Sequence, residues 1–143
     1  MKTAYITHSD CMKHNMGIGH PECPQRLTAI EQALTTTGLS SQLLRYDAPL
    51  ATIEQLARVH TLDYIETIKQ AVPTSGIVAL DADTAMNPFS WDAALRAAGA
   101  VALATDLVIS GEIDNAFCAV RPPGHHAESD HAMGFCLFNN IAV

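Results

Sequence analysis

Basic residues are few in this chain, and nowhere do they gather. Eight lysines and arginines stand singly against fifteen aspartates and glutamates, for a formal charge of −7 over 143 residues. Nucleic acid and anionic membrane surfaces are recognised by clustered Lys and Arg, so neither partner is expected. Long apolar runs are lacking too. The longest, around Ala97 to Ile109, is interrupted by Thr105 and Asp106 and falls short of the ~20 residues that span a bilayer. The opening MKTAYITHSD has no apolar stretch of signal-peptide length, which argues against export. No CxxC pair occurs, since Cys11, Cys23, Cys118 and Cys136 lie far apart. Neither a zinc ribbon nor a dithiol redox motif is therefore signalled, and a reducing cytoplasm is the expected setting. Repeats, linkers and low-complexity segments are absent as well. What is left is a single compact domain over residues 1–143, with 48% hydrophobic residues to fill a core.

The apolar segments alternate between strand-like and helix-like. Thr3 to Thr7 (TAYIT) suits a buried strand closed by His-Ser-Asp. The loop after it carries Cys11, His14, His20, Glu22 and Cys23 and hands over to a helix with Leu27, Ile30, Ala33 and Leu34 at helical spacing, stopped near Gly38. Leu43 to Tyr46 reads as a second strand. Thr52 caps a short helix through Leu56 and Val59, and a further helix runs from about Leu62 to Ala71, with Pro73 beyond it. GIVALDADTAMNPF reads as a loop or a frayed extended piece. Ser90 suits an N-cap, with Asp92 in the first turn of an Ala-rich helix that reaches Ser110. Its alanines and Gly99 allow close approach to a sheet. Asn115 to Val120 (NAFCAV) is then a third strand, apolar enough to be buried on both faces. Strands separated by helices indicate an α/β domain with parallel strands.

Ligands of open α/β sheets bind beyond the carboxyl ends of strands, and RPPGHH follows NAFCAV directly. Pro122 and Pro123 fix the backbone and Gly124 lets it turn, so His125 and His126 stand on a rigid loop. Three readings fit these residues. One imidazole can act as a base while the other is protonated, given carboxylates to orient them. The pair can instead merely satisfy backbone carbonyls. Or His126, His131 and Cys136 can serve as zinc ligands. The remaining histidines, His8, His14 and His131, read as surface or supporting residues, and His60 as a helix terminator.

Four segments, HPECPQRL (20–27), RVHTLDYI (58–65), LDADTAMNP (80–88) and AVRPPGHHA (119–127), followed by GFCLFNN, occur in an order and spacing that resemble the histone deacetylase family. The likeness is greatest to its bacterial, class II-like branch, which includes acetylpolyamine amidohydrolases. The resemblance implies the N-terminal part of the arginase-deacetylase fold, with three parallel strands in the order 2-1-3 and flanking helices. It implies a zinc-dependent hydrolase that removes acetyl or other acyl groups from lysine or polyamine amines. Carried over by position, His126 is the general base and acid, and His125 its electrostatic partner at the oxyanion. Gly134 and Phe135 line the substrate channel, and Asp83 is a rim residue that hydrogen-bonds substrate backbone. Arg26 and Cys136 belong to the acyl pocket and the internal channel for released acetate. Plainer roles stand beside these: core packing for Phe135, loop solvation for Asp81 and Asp83, an ion pair with Glu22 or Glu31 for Arg26.

The family holds its zinc with an Asp-x-His pair and a later aspartate, and no Asp-x-His occurs in these 143 residues. The resemblance therefore implies an incomplete domain: zinc in the intact family enzyme, none in this chain alone, and no activity of its own. It also implies that the third strand presents an unpaired edge, which favours self-association. The alternative to an enzyme segment is a non-catalytic module that keeps a deacetylase-like shell and works by binding or assembly.

Overall fold

The computed structural model describes residues Met1–Val143. In chain order it comprises β1 (Thr3–Thr7), α1 (Gln25–Thr36), β2 (Leu43–Asp47), α2 (Ile53–Leu56), α3 (Leu62–Gln70), β3 (Val78–Ala79), β4 (Ala85–Met86), α4 (Ser90–Ile109) and β5 (Asn115–Cys118), with short 3-10 turns at Ser9–Met12 and Leu39–Gln42. β1 lies at the centre of a parallel sheet of order β2-β1-β5. Thr3 is in register with Leu43 on one side and Asn115 on the other. This is the expected 2-1-3 arrangement, with β5 as the third sheet strand. The central position explains why Ala4, Tyr5 and Ile6 are all buried, as the apolar run TAYIT requires.

Helices cover both faces. On one, Ala4 and Ile6 pack with Ala100 and Leu107 of α4 and with Ile113; on the other, Tyr5 packs with Leu27 of α1, Cys11 and Ala119. A larger cluster joins the other side of α4 (Ala94, Leu95, Ala98) to Ile65 and Ile68 of α3 and to Leu137 and Phe138. The alanines let α4 serve the sheet and this second cluster at once. Gly99 does more: a Cβ there would lie 2.1 Å from the carbonyl oxygen of Pro49 and 2.9 Å from the nitrogen of Ala51. The segment after β2 thus crosses α4 in direct backbone contact, and the amide of Ala51 donates to the carbonyl of Leu95 at 2.9 Å. Close approach is indeed what Gly99 provides, but to this crossing loop.

Local signals hold for α2 and α3. Thr52 forms a reciprocal capping box with Gln55, and the Thr61 hydroxyl accepts from the amide of Tyr64. Two expectations are corrected and one is made definite. Ser90 is the first residue of α4, after an N-cap at Phe89, because its buried hydroxyl is taken by Asn87 and by His14. Residues 76–89, expected as a loop or a frayed extended piece, hold a short antiparallel pairing, Val78 with Met86 and Ala79 with Ala85. β5 is not buried on both faces. It is an edge strand whose Phe117 is 45% exposed, because only β1 pairs with it. No helix of the chain is long and apolar enough to cross a membrane.

The Gly99 contact has a measurable consequence. Gly99→Ala is expected to lower the denaturation midpoint by the equivalent of ~1–3 kcal/mol, the range for overpacking a tight contact. An unchanged midpoint in urea would show that the crossing loop yields freely.

Candidate active site

Leaving β5, the chain passes under β1, where the Ala119 amide donates to the Ile6 carbonyl at 2.9 Å and the Thr7 hydroxyl donates to Ala119 O at 2.7 Å. Arg121 follows, and it is completely buried. Its Nε and Nη2 donate to the two carboxylate oxygens of Glu22 at 2.5 and 2.7 Å, and its Nη1 donates to the carbonyls of Cys11 and His14 at 2.8 and 2.9 Å. Pro122 and Pro123 then stiffen the turn. Gly124 packs flat on Asn140, where a Cβ would come within 2.1 Å of the carboxamide carbon. The Asn140 side chain donates to Pro122 O at 3.3 Å, and the Ile141 amide to Gly124 O at 3.2 Å.

This scaffold presents His125 and His126 side by side, both exposed, with ring centroids 4.2 Å apart and planes inclined by 55°. Gly134, at φ 58°, lies against the His126 ring, so close that a Cβ would be 2.8 Å from Cγ and Cδ2. Phe135 is held at φ 68°, and its amide donates to the Thr84 hydroxyl at 3.0 Å. Its ring meets His20 edge-on at 4.7 Å. His20 Nδ1 accepts from the Glu22 amide at 3.1 Å, and Nε2 lies 3.3 Å from the carbonyl oxygen of Asp83. One tautomer, protonated on Nε2, satisfies both. The fold therefore brings His125, His126, Gly134, Phe135 and Asp83 to one region, and adds His20.

Arg26 stands behind them and shares a cleft with His125 alone of that group. It is exposed, its guanidinium donates to Val120 O, and with Val120, Pro122, His125 and Asn140 it lines a cleft of about 510 Å³ behind the histidine loop. It pairs with neither Glu22 nor Glu31. Glu22 belongs to Arg121, and Glu31 takes a two-pronged contact from Arg45 at 2.9 and 3.1 Å. Cys136 is buried and donates to Gly134 O at 3.2 Å, so it does not meet Arg26 at the cleft. His131 is exposed and bonded to Asp130 at 2.8 Å, which together with nearby Glu128 raises its pKa. His126, His131 and Cys136 thus do not form a metal centre, and no three His, Cys, Asp or Glu side chains converge in the chain so as to hold a metal ion. The donor set present does not fit zinc.

Sequence reasoning passed over the charged interior beside this site. His14, expected at the surface or in a supporting position, is fully buried, with Nδ1 2.7 Å from Ser90 Oγ and Nε2 unpartnered, 3.7 Å from Glu22. Burial first, then the charge of Arg121 and then His20, depress its pKa to about 3, so it is neutral and its approach to Glu22 is no ion pair. His60 is buried too: its Nε2 accepts from the Asn139 amide at 2.9 Å, its ring packs on Tyr64 and Phe138, and burial lowers its pKa. It supports the 125–140 loop from beneath, as does Tyr64, whose hydroxyl donates to Leu137 O at 2.6 Å. A signal for Arg121 exists in the sequence. A single charge between Ala119-Val120 and two prolines has no polar neighbours of its own, and a carboxylate must come from elsewhere.

A family model described as histone deacetylase domain matches residues 20–143. A "Histone deacetylase-like amidohydrolase" of Pseudomonas aeruginosa is 42% identical over 125 residues, which cover 87% of this chain and 33% of that protein. A "Probable deacetylase" of Archaeoglobus fulgidus is 33% identical over 145 residues, covering 100% and 40%. The "Polyamine deacetylase HDAC10" of Homo sapiens is 35% identical over 152 residues, covering 100% and 23%. The crystal structure of the HDA15 HD domain superposes with a TM-score of 0.92 at 35% identity, covering 99% of this chain and 41% of that one. The chain spans less than half the length of these relatives.

The depressed pKa of His14 sets a pH dependence. Between the ordinary 6.5 and about 3, the unfolded chain binds a proton at His14 that the folded chain excludes. This contribution to stability is therefore complete above pH 6.5 and is lost as pH falls through that window. His14→Gln keeps a group facing Ser90 and is expected to flatten the fall of the unfolding temperature in the upper part of the window, above the carboxylate range. Equal slopes in the two proteins would show that His14 titrates normally.

Proposed function

This chain belongs to the histone deacetylase family, and on that footing we propose that it supplies the histidine half of a zinc-dependent site that hydrolyses the amide of acetylated lysine or acetylated polyamine. The observation that carries the reading is the packing of His126 on Gly134, with His125 4.2 Å away between ring centroids. It supports the reading by setting the imidazole pair against the residue proposed as channel wall. In the proposed roles His126 takes a proton from the attacking water and returns it to the leaving amine, while His125 stabilises the oxyanion. The Gly134 carbonyl accepts the substrate amide N–H, Phe135 flanks the alkyl stem, and Asp83 meets the substrate at the rim. Arg26 and Cys136 serve the acyl side, Arg26 from the cleft behind His125.

Zinc would supply a lowered water pKa and a polarised carbonyl. The donors it needs are not assembled by these residues, and the 143-residue chain alone is accordingly proposed to leave amides intact. The four free thiols suit a reducing compartment, the cytoplasm.

A second reading, assembly, is favoured by the free edge. Phe117 on β5 is 45% exposed, and Ile109 and Ile141, 80% and 72% exposed, line an apolar hollow with Ala116 and Cys118 of the same strand. Unpaired edges flanked by apolar surface recruit other chains.

Two tests follow. The chain by itself, supplied with zinc, is expected to show no turnover of an acetyl-lysine reporter or of N-acetylputrescine; grafted in place of the matching segment of the Pseudomonas amidohydrolase, it is expected to retain turnover of that host's substrate. In the graft His126→Ala is expected to cost ~10²–10⁴-fold in kcat, the range for a lost general acid–base group. Turnover by the isolated chain, or full activity of the His126→Ala graft, counts against the reading. Separately, light scattering of the isolated chain is expected to show a dimer or larger species that Phe117→Lys converts to monomer, and a wild-type monomer at high concentration removes the assembly proposal.

A further inference from the structure

The buried charge pair beside the site lies within a closed circuit of contacts. His126 packs on Gly134, and the next residue, Phe135, meets His20 edge-on at 4.7 Å. His20 accepts from the amide of Glu22, whose carboxylate grips Arg121 through both Nε and Nη2. From Arg121 the chain reaches His125 through Pro122, Pro123 and Gly124, and Gly124 is itself pinned on Asn140. Two prolines leave that connection little freedom. The circuit from one histidine to the other thus runs through packed rings, stiff backbone and a single ionic contact. The contact is completely specified: Arg121 is wholly buried, both carboxylate oxygens are taken, and Nη1 is spent on two carbonyls of the 11–14 segment. His14, neutral at its side, adds no charge that would pull Glu22 away.

We propose that the Arg121–Glu22 ion pair is a positioning device that sets where His125 and His126 stand relative to the His20–Phe135 wall. The inference rests on reading the two histidines as the acid–base pair of the site. A planar guanidinium fixes distance and direction together, which an ammonium does not. A shift at this contact therefore moves the histidine loop against the wall without touching either imidazole.

The test uses the full 143-residue chain and imidazole 1H–15N spectra, with His131, exposed and outside the circuit, as internal control. Arg121→Lys keeps the charge and loses the fork; Glu22→Leu with Arg121→Met removes both charges, so that neither is left buried and unpaired. The expected result in both variants is a cooperatively folded chain in which the His125, His126 and His20 signals move by several line widths while that of His131 stays. Signals that coincide with wild type in either folded variant overturn the proposal. So does loss of cooperative folding in the double variant, since the pair would then be a requirement of the whole fold. The spectra need no turnover, which separates the two claims. Displaced imidazoles in a protein whose grafted form is inactive leave positioning standing and remove the functional reading; undisplaced imidazoles beside an active graft do the reverse.

Discussion

A guanidinium cannot sit in a protein interior without a carboxylate and further acceptors around it. Arg121 meets that demand with Glu22 and with the carbonyls of Cys11 and His14, and in doing so it ties residues 11–22 to the end of β5. That 11–22 segment has little regular structure of its own, one short turn at Ser9–Met12. It follows a defined path because the arginine at its centre leaves it few alternatives. His14 is drawn inside on the same path and takes Ser90 as partner, which in turn fixes where α4 begins. One buried charge thus organises a loop, a helix start and the base of the histidine turn.

The parts of the molecule that local patterning controls were legible from the residues. The Thr52 cap of α2, the spacing of α3, the breadth of α4 and the apolar run of TAYIT are decided by neighbours a few residues away. The order of strands came from likeness to a family, since pairing partners more than a hundred residues apart leave no periodic trace. What escaped was of the same long-range kind. Glu22 and Arg121 are 99 residues apart, and His14 and Ser90 are 76 apart. Nothing within a few residues of Glu22, His14 or Ser90 names its partner, and the apolar setting of Arg121 signals only that a partner is needed. The reverse error, reading NAFCAV as buried on both faces, arose because composition records affinity for a core and not whether a neighbour is present to supply one.

The candidate site divides along the same line. The motif RPPGHH identified the histidines and the stiffness of their loop. The packing of His126 on Gly134, the contact of Phe135 with His20, and the support from His60 and Tyr64 depend on segments 20, 60 and 135 meeting. Chemistry-bearing residues were visible as types. Their mutual geometry was not.

Phe135 carries a further implication. A phenylalanine held at φ 68° occupies a conformation that costs an L side chain ~1–3 kcal/mol and that glycine adopts freely. Glycine at 135 would relieve that cost and leave the Gly134 contact with His126 untouched, yet it would erase the ring that faces His20. Backbone ease and the ring's contact with His20 therefore pull in opposite directions at this one residue. The chain keeps an aromatic ring where its backbone favours none, as a hinge pin kept under load favours alignment over ease of motion.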